Sequence, residues 1–349
     1  MGDSPHSGAA RHLPVEGDQL EPLHKPRLTS SHIVRWAAAQ QNWDKIHYDQ
    51  AFCEGHAGLP KPVINGALKQ HFIAQFLWER LPTAWPWRID YQFRAPDYVG
   101  ERVTVRGTVG VLQRHAGSDL VEVLLEIFNE DRCEVTTRGR AIVVLSPGEQ
   151  RMQDALNFLG PEDQRLPLDV SAGHETDGAP AEAVRCLGQS LDQRTSAYPV
   201  DLGRLRLFAD AVMGLDPVHF DPSQAAAAWG GVVAPPLFPL HSLQALPGSF
   251  PLSEDDGSQG REGVNEIGRD LAERFGLPGA GGMNAGNRVQ IHSLVRPGER
   301  VRADSKLVGV RRRAGAGRRE MVFLETLNTY AEDGGRPLLT ERQTMVFKL

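Results

Sequence analysis

Two stretches of this 349-residue chain bring together side chains able to move protons. Asn42-Trp43-Asp44-Lys45-Ile46-His47-Tyr48-Asp49 gathers an imidazole, two carboxylates and a carboxamide on one short loop. Val63-Ile64-Asn65-Gly66 then heads the run Ala67-Leu68-Lys69-Gln70-His71-Phe72, whose apolar spacing predicts a helix. A helix beginning at Gly66 offers free backbone N–H groups and a partial positive charge. A thioester oxygen placed there would be polarised as in an oxyanion hole. A neutral His47 near the β-carbon of the same acyl group could take a proton from water. The chemistry that follows is reversible addition of water to an α,β-unsaturated thioester.

The loop has an echo. Val218-His219-Phe220-Asp221 repeats Ile46-His47-Tyr48-Asp49. Gly214 stands where Asn42 stands, however, and Pro235 replaces Gly66. Proline has no N–H to donate, so the second loop reads as mostly structural. Asp49 and Asp221 are expected to cap the short helices that follow them, and Tyr48 to pack.

The elements that must position these residues are also written twice. Helical spacing is expected in "HIVRWAAAQ" before the first loop and "LGRLRLFADAV" before the second. The first half continues with the longer helix "ALKQHFIAQFLWERL", and each half then runs into strand-like segments rich in β-branched residues. Gly-Glu-Arg-Val recurs at 100–103 and 298–301, in register with the histidines, which supports duplication. The pattern predicts an α+β chain in which antiparallel sheets wrap central helices and pair edge to edge. The expected divisions are a tail (1–14), a catalytic first unit (15–147), a linker (148–183) and a non-catalytic second unit (184–349) carrying an insertion (252–284).

Composition narrows the function further. A formal net charge of −6 leaves no basic footprint for nucleic acid. No apolar run is long enough for a membrane span, and the N-terminus lacks a secretory core, so a cytoplasmic location is expected. Cys53, Cys133 and Cys186 are odd in number and widely spaced, forming neither a disulfide framework nor a zinc motif. No metal site is expected. The basic stretch 309–320 reads as a solvated hairpin tip; contact with CoA phosphates is its alternative, as it is for Arg138 and Arg140.

The loop and turn together resemble the MaoC-like hydratase/dehydratase family in its tandem, double hot-dog form. That family's fingerprint is Asp-x-Asn-Pro-x-His-x-Asp followed by Val-x-His-Gly. The Asn-x-x-x-Ile-His-Tyr-Asp form is similar to the branch of mesaconyl-CoA hydratases and hydroxyacyl-thioester dehydratases. Ala234-Pro235-Pro236 and Arg296-Pro297-Gly298-Glu299 resemble that branch's non-catalytic partner domain, here placed second.

The resemblance implies a cofactor-free hydro-lyase acting on a 2-enoyl thioester of CoA or an acyl carrier. His47, Asn42 and Gly66 are its expected catalytic residues, with Val63 and Asn65 binding substrate. The family's aspartate is Asn42 here, which leaves two readings. Either His47 is the sole base and Asn42 holds the water, or Asp44 supplies the carboxylate; the first is favoured because the similar branch also carries asparagine. Phe72, Phe76, Trp78 and the insertion are expected to shape the acyl tunnel. A hot-dog thioesterase and an acyl-binding subunit that needs a partner chain are the competing functions. One chain already supplies a pseudo-dimer, so both a monomer and a homodimer are compatible with it.

Overall fold

The fold is described from a computed structural model over residues 14–81, 84–115, 118–145, 178–248, 271–277, 282–314 and 320–349. The expected tail, most of the linker and insertion, and residues 315–319 of the basic turn lie outside the described residues. The first half contributes β1 (Gln19–His24), β2 (Ala84–Phe93), β3 (Val103–His115), β4 (Ser118–Asn129) and β5 (Glu134–Leu145). The second contributes β6 (Ser190–Thr195), β7 (Met283–Ile291), β8 (Val301–Ala314), β9 (Glu320–Glu332) and β10 (Pro337–Lys348).

The strands form one ten-stranded sheet in the order β1-β3-β4-β5-β2-β7-β10-β9-β8-β6. The order is palindromic about the β2–β7 junction, as expected for a duplicated unit that meets its copy edge to edge. At that junction Ile89 faces Val289 in antiparallel register, and Arg288 reaches Asp90 at 2.8 Å. The double hot-dog read from the sequence is therefore the fold, with its two sheets fused into one.

Helix α1 (Ser30–Gln40) buries Ile33, Trp36, Ala37 and Gln40 on one face and ends where Gln41 turns left-handed at φ 59°. Helix α2 (Gly66–Arg80) is buried almost all round, as a helix running through a curled sheet must be. Phe72 and Phe76 are fully buried in its core. Gly107 on β3 lets Phe76 lie close, since a Cβ there would sit 2.6 Å from its ring. Helix α3 (Leu202–Val212) is the counterpart of α1.

The halves differ at the next position. Where the first half launches α2, the second has Pro235, Pro236 and Pro239 and makes only a 3-10 turn, Phe238–His241. Prolines remove the N–H groups a helix interior needs. Among the described residues, α2 thus serves both halves: Trp78 Nε1 donates to Asp216 Oδ2 at 2.7 Å and Gln75 Nε2 to the Met213 carbonyl at 3.0 Å. Among the described residues no helix is long and apolar enough to cross a membrane.

Two buried histidines, His71 and His241, and the half-buried His292 make the fold sensitive to acid. His71 and His241 lie in one aromatic cluster with Trp36 and Phe208, ring centroids 5.0–5.4 Å apart for most pairs. Burial lowers His71 well below the ordinary histidine value, holds His241 at about 3 with help from Arg204, and holds His292 at about 4. The unfolded chain therefore binds protons below about pH 6.5 that the folded chain refuses. Stability is expected to be full above that pH and to fall as pH drops toward 4. At pH 5 the loss is on the order of 2 kcal/mol each for His241 and His292. Urea unfolding at pH 7.5 and pH 5 checks this, and His292→Gln should flatten part of the dependence.

Candidate active site

The first histidine loop is shaped by its own polar side chains. Asn42 Oδ1 accepts from the Asp44 N–H at 3.1 Å, and Asp44 Oδ1 accepts from the Ile46 N–H at 3.2 Å, capping the 3-10 turn Lys45–His47. The Tyr48 hydroxyl donates to the Trp43 carbonyl at 2.9 Å, and Asp49 caps the next turn through the Phe52 N–H at 2.9 Å. Cys53 donates its thiol to the Ile46 carbonyl at 3.3 Å. Burial, reinforced by Asp49 and Asp44, pushes that thiol up to about 11, so it is no thiolate nucleophile near neutrality.

His47 points from this loop at the head of α2. Its Nδ1 lies 2.9 Å from the Val63 carbonyl, and its Nε2 lies 3.0 Å from Asn65 Nδ2. A carbonyl oxygen can only accept, so the neutral ring carries its proton on Nδ1 and presents the Nε2 lone pair to the Asn65 amide. Those are its side-chain hydrogen bonds among the described residues; neither Asn42 nor Asp44 makes one to the ring. The Val63 N–H in turn donates to the Ile46 carbonyl at 2.9 Å, tying the turn to the loop.

Asn65 is also the N-cap of α2: its Oδ1 accepts from the Ala67 N–H at 2.8 Å. Gly66 is the first helical residue, and its N–H has no acceptor among the described residues. A side chain at Gly66 would meet the Phe93 ring at 3.1 Å. Imidazole and carboxamide, both buried, thus lead to the helix N–H of half-buried Gly66 in consecutive positions.

A charged cluster beneath this row carried no signal in the sequence. Lys69 Nζ donates to Asp97 Oδ2 at 2.7 Å, with the two side chains 3% and 0% exposed. Asp97 also accepts from Thr136 Oγ1 and Asn129 Nδ2, both at 2.8 Å. Its backbone carbonyl takes the Ile64 N–H at 2.7 Å, in the middle of the turn that bears Asn65. Burial lowers the Lys69 ammonium below the ordinary lysine value, opposed by the adjacent Asp97 carboxylate. Lys69 lies 4.9 Å from the centre of the Phe93 ring that packs on Gly66.

The second loop is built on the same plan. His219 Nδ1 lies 2.9 Å from the Val233 carbonyl, Asp216 Oδ1 caps its turn through Val218 N–H at 3.2 Å, and Asp221 caps α4 (Pro222–Trp229). Pro235 and Pro236 follow, so no helix N–H stands at the place of Gly66. A cavity of about 30 Å³ lies beside His219, lined also by Asp216, Trp78, Glu79, Pro235 and Pro236. That is room for about two waters. Trp78 therefore faces the second loop, whereas Phe72 and Phe76 are packed into the core.

On the outer sheet face Arg138 pairs with Glu126 at 3.3 Å and Arg140 with Glu122 at 3.8 Å. In the basic turn, Arg311 pairs with Glu325 and Arg312 with Glu320. Among the described residues, no group of three or more His, Cys, Asp or Glu side chains is arranged to hold a metal ion.

Two family models match separate parts of the chain. Hydroxyacyl-thioester dehydratase type 2 matches residues 2–99, which include the His47 loop and the α2 head, and the FAS1-like, dehydratase domain region matches residues 185–341. A search of the curated proteins finds no match.

Among solved structures, a MaoC-like dehydratase is 15% identical with a TM-score of 0.57, covering 94% of this chain and 97% of its own. A MaoC domain protein from Chloroflexus aurantiacus J-10-fl is 12% identical with a TM-score of 0.63, covering 96% and 95%. A Mycobacterium tuberculosis protein described as having a double hotdog fold is 13% identical with a TM-score of 0.56, covering 96% and 97%. At such identities these neighbours speak for the fold. They show a double hot-dog, within which the first part of the chain is similar to hydroxyacyl-thioester dehydratase type 2 and the second to the FAS1-like dehydratase domain region.

Proposed function

We propose that the protein is a hydro-lyase that reversibly hydrates a 2-enoyl thioester of CoA or an acyl carrier to the 3-hydroxyacyl thioester. The observation that carries this reading is the row formed by His47 Nε2, Asn65 and the unbonded N–H of Gly66 at the helix head. In the hydration direction the thioester oxygen sits on the Gly66 N–H, where the helix dipole favours the charge it gains. His47 Nε2 takes a proton from a water held by Asn42, and the hydroxide oxygen bonds to the β-carbon. The proton returns from the imidazolium to the α-carbon, closing the cycle without a cofactor.

Asp44 is the weaker candidate for the base, since one of its oxygens is occupied as a turn cap. Val63 acts through its carbonyl, which fixes the tautomer of His47. The three free cysteines support a reducing, cytoplasmic setting.

The discriminating experiment follows the conjugated double bond of an enoyl-CoA by absorbance beside free-thiol release. Loss of the double bond without thiol supports the hydro-lyase. Thiol release with the double bond intact indicates thioester hydrolysis, and turnover only on adding a second chain indicates an incomplete subunit.

Gly66→Ala is expected to lower kcat/KM on the order of 10²-fold, because the new methyl group must displace Phe93 or the helix head that aims the N–H. Steady-state kinetics on the variant checks this, and Phe93→Leu in the same chain should restore part of the loss by making room.

A further inference from the structure

Asn65 is immobilised in a way that bears on how the site turns over. Its Oδ1 is held by the Ala67 N–H at 2.8 Å, and one Nδ2 hydrogen is directed to His47 Nε2 at 3.0 Å. A carboxamide nitrogen carries two hydrogens. The second has no acceptor among the described residues, although the side chain is only 5% exposed. The neighbouring peptide contributes the Gly66 N–H, which is likewise unbonded. Two donors without acceptors among the described residues therefore lie on consecutive residues, one on buried Asn65 and one on half-buried Gly66, beside an imidazole whose basic nitrogen is already occupied. Buried donors are normally satisfied, so the second Asn65 hydrogen and the helix-head N–H beside it are together placed to hold one acceptor.

We propose that Asn65 is a catalytic residue that donates to two acceptors in turn. In the free protein its amide closes the lone pair of His47 Nε2. When a thioester arrives, its oxygen lies between the Gly66 N–H and the Asn65 amide, and Nε2 is released to accept a hydrogen bond from water. The water O–H bond then breaks toward Nε2 while its oxygen bonds to the β-carbon. The displaced π electrons collect on the thioester oxygen as an enolate held by both donors. Return of the proton from Nε2 to the α-carbon restores the thioester carbonyl and sends the amide back to the imidazole. The base is thereby exposed only when an acyl carbonyl is in place. This inference rests on the hydration reading above and adds a second oxyanion donor to it.

Two variants that keep the helix cap test the proposal. Asn65→Asp preserves the acceptor for Ala67 N–H but has no donor, and Asn65→Ser is a good cap whose side chain is too short to span to the imidazole. Both are expected to lose about 10²–10³-fold in kcat with KM changed only a few-fold. In Asn65→Asp the acid limb of the kcat/KM profile should also move up by about one pH unit or more, because a carboxylate beside His47 favours its protonated form. A purely structural role would instead lower the melting temperature and leave that limb in place. The proposal is overturned if both variants keep kcat within about threefold of the parent on enoyl-CoA, or if losses track melting temperature without a shift in the profile. If the unsubstituted protein consumes no double bond from any enoyl-CoA, the hydration reading itself fails, whatever Asn65 does.

Discussion

His47→Ala is expected to lower kcat/KM for hydration by about 10²–10⁴-fold, the range spanned by loss of a positioned general base. The site has no ready substitute. The ring's hydrogen bonds go to Val63 and Asn65, and neither Asn42 nor Asp44 bonds to it. Removing the imidazole therefore leaves the water without the group that takes its proton. It leaves the Gly66 N–H intact, so substrate binding should change less than kcat. Stability should change little: the loop is held chiefly by the Asn42, Asp44 and Asp49 caps and by the Val63 N–H to Ile46 carbonyl bond, which do not involve the ring. Kinetics with thermal unfolding on the same sample separates these effects. The matching replacement at the second loop, His219→Ala, should leave kcat/KM within a few-fold, because Pro235 offers no N–H to a thioester there.

Lys69→Met is expected to produce the largest loss of stability, about 3–5 kcal/mol, typical of breaking a buried ion pair by removing one partner. Asp97 is fully buried, and without the ammonium 2.7 Å away its charge is left to Thr136, Asn129 and the more distant Arg132 at 3.6 Å. The cost should reach the site as well, because the Asp97 carbonyl holds Ile64 and Lys69 faces the Phe93 ring behind Gly66. Urea unfolding measures the effect. Adding Asp97→Asn should recover a large part of it, since the unpaired charge then disappears. A loss below about 1 kcal/mol for Lys69→Met would show that the pair does not anchor the helix head.

How much of this was legible beforehand differs residue by residue. The His47 loop and the helix opening at Gly66 stood out because side-chain spacing and a duplicate copy both advertise local structure. The palindromic sheet followed from matching strand runs in the two halves, aligned on the histidines. The expectation of a central helix in each half fails in the second, where a 3-10 turn stands instead among the described residues; Pro235 signals a missing N–H, but only Pro235, Pro236 and Pro239 taken together rule out the helix. The amide bridge from Asn65 to His47 was not legible, because it joins positions 18 apart through a turn whose path is fixed by Asp97. Lys69 reads in sequence as an ordinary solvated helix residue; only the surrounding sheet turns its face inward and supplies Asp97, Thr136 and Asn129. Helical spacing groups Trp78 with Phe72 and Phe76, and it does not reveal that the Trp78 indole N–H donates to Asp216 of the second loop. Periodicity says that a helix face is covered, not by which half.

The most direct measurement is a crystal structure of the protein with a slowly turned-over enoyl-CoA or the 3-hydroxyacyl-CoA product bound. The account predicts the thioester oxygen about 3 Å from the Gly66 nitrogen and the β-carbon oxygen within hydrogen-bond reach of His47 Nε2. An acyl group lodged instead against His219 and Pro235, or a thioester that the imidazole and the helix head cannot both reach, would contradict it.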